Sequence, residues 1–259
     1  MIQGGGFCLF ITGTDTAVGK TETACALLSL LADAGLRPAA MKPYESGCLD
    51  WHRPADALAL KAAARCDDRL DRVCLYRYRA PLAPGVAAAR RKETPSFARV
   101  LALARSFRGR PLVIEGAGGL FVPIDAQRDI IDLIETLNIP VLLVARAGLG
   151  TLNHTGLSLD ALASRRIPVR AVLLTKTKDA SDPSEGDNAA WLKQRHGVPV
   201  LGPVPYMRSP ARRLAAYQQA LYPILDAFVR PKGSGTVCAQ HPLGRSGKRF
   251  LTLSLPGDA

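Results

Sequence analysis

Nine residues leave this chain few architectures open to it: Gly13-Thr14-Asp15-Thr16-Ala17-Val18-Gly19-Lys20-Thr21, which follow the apolar run at residues 7–11 after Thr12. The run reads as a buried strand. Beyond Thr21, apolar side chains recur at helical spacing (Ala24, Leu27, Leu28, Leu31) and stop at Gly35, a natural residue past a helix end. A glycine-led loop closing on Gly-Lys-Thr between strand and helix is a phosphate-binding loop of the GxxxxGK[ST] kind, here with five residues between Gly13 and Gly19 in place of four. Its small residues let backbone N–H groups line a concavity, and the helix N-terminus adds a positive field. Lys20 is placed to neutralise β- and γ-phosphates, and the Thr21 hydroxyl to take one position on Mg²⁺. The expectation is a nucleoside triphosphate site in an α/β domain.

The rest of the chain alternates in the same way. Residues 37–41 read as a second strand, 42–54 as a loop and 55–64 as a short Ala/Leu-rich helix. The stretch 75–91, with Pro81 and Pro84, reads as a loop giving way to a helix around 96–106. Short apolar runs at 112–114, 141–145 and 169–174 read as buried parallel strands, with 199–201 a further one. The expected fold is therefore a three-layer α/β architecture of the P-loop NTPase type, a parallel sheet flanked by helices on both faces. Ligands then belong at the carboxyl ends of the strands, at residues 13–21, 42–46, 115–119, 146–151 and 175–179. From residue 229 the texture changes to Pro, Gly, Ser and basic residues, so 1–228 reads as the domain and 229–259 as a poorly packed basic tail with 249–255 its candidate strand.

Composition narrows the setting. The six cysteines form no CxxC pair and no zinc spacing, Cys8 and Cys25 fall inside elements as small hydrophobes, and a reducing cytoplasm fits. No apolar run approaches about 18 residues, and no secretory leader is visible, so neither a membrane nor secretion is expected. The net charge of +12 is spread over scattered arginines without interleaved aromatics, which speaks against a nucleic-acid partner. A basic surface around a polyanion site accounts for part of it.

Several side chains at the strand ends could carry chemistry. Glu115 closes an apolar strand and opens Glu115-Gly116-Ala117-Gly118-Gly119, and a carboxylate there is costly without a cation nearby. Asp56 starts a helix, where capping and metal ligation are equally good readings. Lys42 follows the second strand and is either a solvated strand-end lysine or an ammonium facing a transferring phosphoryl group. Ser46-Gly47 could hydrogen-bond a substrate. Asn153 reads as an N-cap after Gly148-Leu149-Gly150, and the N–H groups of Gly150, Thr151, Leu152 and Asn153 offer a carboxylate site. His154 has no serine or cysteine nucleophile placed for it.

Together these segments resemble the dethiobiotin synthetase family, ATP-dependent enzymes of biotin biosynthesis. The resemblance rests on Thr12–Thr21, Lys42-Pro43-Tyr44-Glu45-Ser46-Gly47, Asp56-Ala57-Leu58-Ala59-Leu60, Val113–Gly119 and Gly148–His154, in order, over roughly residues 7–228. It implies carboxylation of 7,8-diaminononanoate by CO₂ and ring closure through a phosphorylated carbamate. Lys20 and Lys42 would then be catalytic, and Thr21, Asp56 and Glu115 would hold Mg²⁺. Thr16 and Ser46 would meet the diamine or carbamate, with nucleotide contacts extending to Glu22, Gly116, Ala117, Gly118, Thr175, Lys176, Pro205, Tyr206 and Met207. It also implies a homodimer in which the 150–153 segment of the second subunit holds the substrate carboxylate. The chain departs from the family at Ala17, where glutamate is common, at Gly85, where histidine is frequent, and at Thr175, where asparagine usually reads adenine. Residues 175–179 come close to a guanine-reading [NT]KxD motif but have one residue too many. Two other readings stand beside it. A partitioning-type P-loop ATPase, a nucleotide switch, would carry lysine where Asp15 stands. An amidotransferase-linked ligase of cobalamin synthesis would need a glutaminase domain that the tail is too short to form.

Overall fold

A computed structural model of the 259-residue chain describes residues 7–229. The tail from 230 on, with the 249–255 strand and Cys238, lies outside the described residues. Eight strands and nine helices are found among them. In chain order they are β1 Cys8–Gly13, α1 Lys20–Asp33, β2 Ala39–Met41, β3 Tyr44–Ser46, α2 Ala55–Ala64, α3 Leu70–Val73, β4 Tyr76–Tyr78, α4 Pro84–Arg90, α5 Phe97–Ser106, β5 Leu112–Glu115, α6 Ile130–Leu137, β6 Val141–Arg146, α7 Thr151–Ser164, β7 Val169–Thr175, α8 Glu185–His196, β8 Val200–Val204 and α9 Pro210–Val229.

Six strands form one parallel sheet in the order β2-β5-β1-β6-β7-β8. Side chains alternate across it, and the alternation divides the core in two. Phe10, Ile114, Leu143 and Leu174 join α5, α6, α7 and α8 on one face. Leu9, Ile11, Val113, Val144 and Leu173 join α1, α2, α3 and α9 on the other. This is the expected three-layer arrangement.

Two segments depart from the sequence reading. Residues 44–46, inside the expected loop, form β3, which pairs in parallel with β4 as a small separate sheet. The stretch 75–91 holds β4 and then α4, whose Pro84 sits in the first turn, where a missing N–H costs nothing. The second strand also starts two residues later than read, at Ala39.

Candidate active site

The phosphate loop lies between β1 and α1. Gly19 caps α1 in the left-handed region (φ +96°), and Ala17 adopts φ +54°. Two loop amides are already committed: that of Thr14 donates to the Val144 carbonyl (3.0 Å) and that of Thr16 to Asp15 Oδ1 (2.7 Å). Lys20 folds over its own loop, Nζ donating to the Asp15 carbonyl at 2.7 Å. Burial lowers its pKa to about 8, against the opposing pull of Glu115.

Strand parity explains why Lys42 and Glu115 meet. Met41 and Ile114 are register partners facing the α5–α8 layer, so the next residue of each strand, Lys42 and Glu115, turns to the α1–α2 face. There Lys42 Nζ lies 2.5 Å from Glu115 Oε1 and 2.8 Å from Asp56 Oδ2. Thr21 Oγ1 donates to the same Glu115 oxygen at 2.8 Å. Lys42 and Glu115 are buried, and Asp56 is partly open to solvent. Burial opposes the charge on Lys42, but Glu115 and Asp56 outweigh it and hold the ammonium above the ordinary lysine value. Burial pushes the Glu115 carboxyl up, while Lys42 and Thr21 pull it back. Lys42 is thus the buried cation of an acidic pair, and the solvated reading of this lysine falls.

The structure also separates the two readings of Asp56. Pro54 precedes α2 and has no capping side chain; the buried Glu45 of β3 caps the helix instead, accepting from the amides of Asp56 (3.1 Å) and Ala57 (2.9 Å). The Asp56 carboxylate is therefore free to reach Lys42.

The residues fit a divalent cation. Glu115 Oε2 is buried without a hydrogen-bond partner, and Thr21 and Asp56 supply further hard oxygens around it. Among the described residues no cluster of three or more His, Cys, Asp or Glu could hold a metal by itself. That suits an ion held mainly through a phosphate chain.

Around this centre the other expected residues are placed as follows. Glu22 lies in the first turn of α1, and Thr16 is exposed on the loop. Ser46, half-buried, ends β3. Gly116, Ala117 and Gly118 follow β5, the Gly116 amide donating to the Ile11 carbonyl (2.9 Å). Thr175 ends β7 but is buried, its hydroxyl donating to the Val18 carbonyl at 2.6 Å. Lys176 pairs with Glu185 at 2.8 Å. Pro205, Tyr206 and Met207 follow β8 at the same end of the sheet.

Asn153 is not an N-cap. Helix α7 begins at Thr151, with Gly150 capping it at φ +89°, so Asn153 sits inside the first turn. The Thr151 hydroxyl turns inward to Thr155 (3.1 Å) and its amide donates to the Gly148 carbonyl (3.2 Å). Of the expected carboxylate site Thr151 is thus already committed, and the amides of Leu152 and Asn153 are what the first turn offers an anion. His154 is exposed.

Three supporting residues were not singled out in the sequence reading. Arg146, at the end of β6, pairs with Asp15 (2.9 Å) and orients the loop carboxylate. Asp182 accepts from the Leu149 amide (2.8 Å), and the buried Asn188 donates to the Ala147 carbonyl (2.7 Å), so the start of α8 pins the segment before α7. A charged residue closing an apolar strand was the one available hint, and it applies to Arg146 alone.

Comparison with known proteins places the chain among close relatives. A profile of the family described as "AAA domain" matches residues 8–212. The ATP-dependent dethiobiotin synthetase of Anaeromyxobacter dehalogenans is 43% identical over 215 residues, covering 82% of this chain and 96% of that protein. Its counterpart in Thermodesulfovibrio yellowstonii is 36% identical, covering 76% and 88%. Among solved structures, cobyrinic acid a,c-diamide synthase of Mycobacterium smegmatis with a bound ATP analogue and magnesium shares the fold, with a TM-score of 0.55 at 16% identity over 90% of this chain and 99% of that one.

Proposed function

The chain belongs to the dethiobiotin synthetase family, and from that premise we propose how its site closes a ureido ring. It is an ATP-dependent cyclo-ligase of biotin biosynthesis. One amine of 7,8-diaminononanoate adds to CO₂ as a carbamate, whose oxygen takes the γ-phosphoryl group of ATP. The second amine then attacks the carbonyl carbon, phosphate leaves, and the ring is dethiobiotin.

Nothing in this sequence of steps needs a nucleophilic side chain, and the site supplies position and charge instead. The observation that carries the reading is the meeting of Lys42, Glu115, Asp56 and Thr21 beside the phosphate loop. Lys20 and Lys42 bring two cations to the transferring phosphoryl group. Thr21, Asp56 and Glu115 would hold Mg²⁺, which would supply positive charge against the phosphate chain. Gly13, Thr14, Asp15, Thr16, Ala17, Val18 and Gly19 wrap the phosphates, with Glu22 and Gly116–Gly118 beside them. Lys176 and Pro205–Met207 flank the base. Thr16 and Ser46 face the diamine or carbamate.

A homodimer completes the reading, with Gly150, Thr151, Leu152 and Asn153 of one subunit binding the substrate carboxylate of the other. In support, Leu149, Leu157 and Trp191, on or beside α7 and α8, are 81%, 63% and 59% exposed, apolar side chains near the 150–153 segment that a second copy would cover. Cys8, Cys25, Cys48, Cys66 and Cys74 are free thiols, which suits the cytoplasm. Among the described residues no helix is long and apolar enough to cross a membrane. A nucleotide-switch role is not favoured, because the relatives above are synthetases.

The test is phosphate release by purified protein. Release should require the diamine, bicarbonate and Mg²⁺ together, and Lys42→Ala should abolish turnover while leaving nucleotide binding. Release indifferent to the diamine would overturn the reading.

A further inference from the structure

The family resemblance expects the residue at the end of β7 to read the base, but Thr175 is turned elsewhere. Its parity puts the side chain on the α1–α9 face, where the hydroxyl donates to the Val18 carbonyl at 2.6 Å and stays buried. A hydroxyl has one proton to donate, and this one is spent on the loop. Behind it, the buried Tyr217 of α9 sets its own hydroxyl against Gly19, so closely that a methyl group on Gly19 would collide with it. The Tyr217 hydroxyl thus packs against both the loop and the Thr175 side chain.

The Val18–Gly19 peptide is trans, so its carbonyl and N–H point in opposite directions. Holding the Val18 carbonyl toward β7 therefore aims the Gly19 N–H away from β7. We propose that Thr175 is a positioning residue for the phosphate loop, not a base reader. The proposal rests on reading residues 13–21 as the triphosphate site. It needs no diamine, so it stands or falls apart from the ring-closing reaction.

The experiment is calorimetric binding to the full chain with Mg²⁺, using ATP and inorganic tripolyphosphate. Thr175→Val keeps the shape and removes the donor. Affinity for both ligands should fall by the same factor, about tenfold for one buried hydrogen bond, and Thr175→Ser should restore it. Weaker ATP binding with unchanged tripolyphosphate binding would show that Thr175 meets the base. Unchanged affinity for both, even with a lowered melting temperature, would show a purely structural role. Either result overturns the proposal. If the valine variant does not fold, Thr175→Ala carries the same measurements.

Discussion

Replacing Lys42 by methionine should expose the energetic cost of the carboxylate at the end of β5. The ammonium lies 2.5 Å from Glu115 Oε1 and 2.8 Å from Asp56 Oδ2, and Glu115 is 1% exposed. Methionine keeps most of the stem volume, so the change is chiefly one of charge. Without Lys42, Glu115 retains the Thr21 hydroxyl as its hydrogen-bond donor. Breaking one side of a buried ion pair costs about 3–5 kcal/mol. Lys20 lies near enough for its charge to be felt at Glu115, and Asp56 can turn to water, so the lower end applies: about 3 kcal/mol. For a domain of this size each kcal/mol moves Tm by about 2–4 °C, giving a fall of about 6–12 °C at pH 8. The pH dependence has a definite sign. Burial already raises the Glu115 carboxyl, and removing Lys42 takes away the main opposing influence. A carboxyl raised in the folded state penalises folding in full above its folded pKa and not at all below its unfolded value of about 4.3. The deficit should therefore shrink as pH falls from 8 toward 5. Thermal melts across that range measure it, and Glu115→Gln in the Lys42→Met background should recover most of the loss. A variant melting within about 2 °C of wild type at pH 8, or one whose deficit grows on acidification, would refute the argument.

Three further outcomes are expected. Because burial holds Lys20 near a pKa of about 8, affinity for a triphosphate should fall as pH rises through that value, and Lys20→Met should flatten the profile; a wild-type affinity constant from pH 6.5 to 9.5 would contradict this. Gly19→Ala forces a side chain into φ +96° and against Tyr217, so it should cost at least about 2 kcal/mol and abolish nucleotide binding, read by melts with and without Mg²⁺ and ATP. Asp182→Ala frees the Leu149 amide and loosens the segment before α7. It should raise KM for the diamine with nucleotide affinity unchanged, and an unaltered KM would separate Asp182 from the substrate end of α7.

What was legible in the sequence follows from how local each cause is. The sheet strands could be read because a strand buried on both faces must be apolar along its whole length, as Leu112-Val113-Ile114 and Val141–Ala145 are. The small sheet could not: Tyr44-Glu45-Ser46 and Tyr76-Arg77-Tyr78 are three-residue strands of mixed polarity, and each exists because the other is there. The site divides in the same way. Lys42, Glu115 and the loop were visible as strand-end residues, but their meeting depends on the register Met41 to Ile114, which no local pattern encodes.

Asp56 shows why this matters for function. An acid in the first turn of a helix is ordinarily explained by the helix itself. That explanation fails here because another carboxylate already caps α2. Glu45, from a strand invisible to periodicity, fills the N-terminus that Pro54 cannot cap. The small sheet thus brings a capping group to α2, and so releases Asp56 to the Lys42–Glu115 pair. If so, Glu45→Gln should weaken the site without touching it, since an amide oxygen still accepts but carries no charge to hold two amides. Asp56 would then be drawn back toward its own helix N-terminus and away from Lys42. The same substitution would leave the site unchanged if Asp56 were held by Lys42 alone, and Mg²⁺-dependent ATP affinity of the variant distinguishes the two.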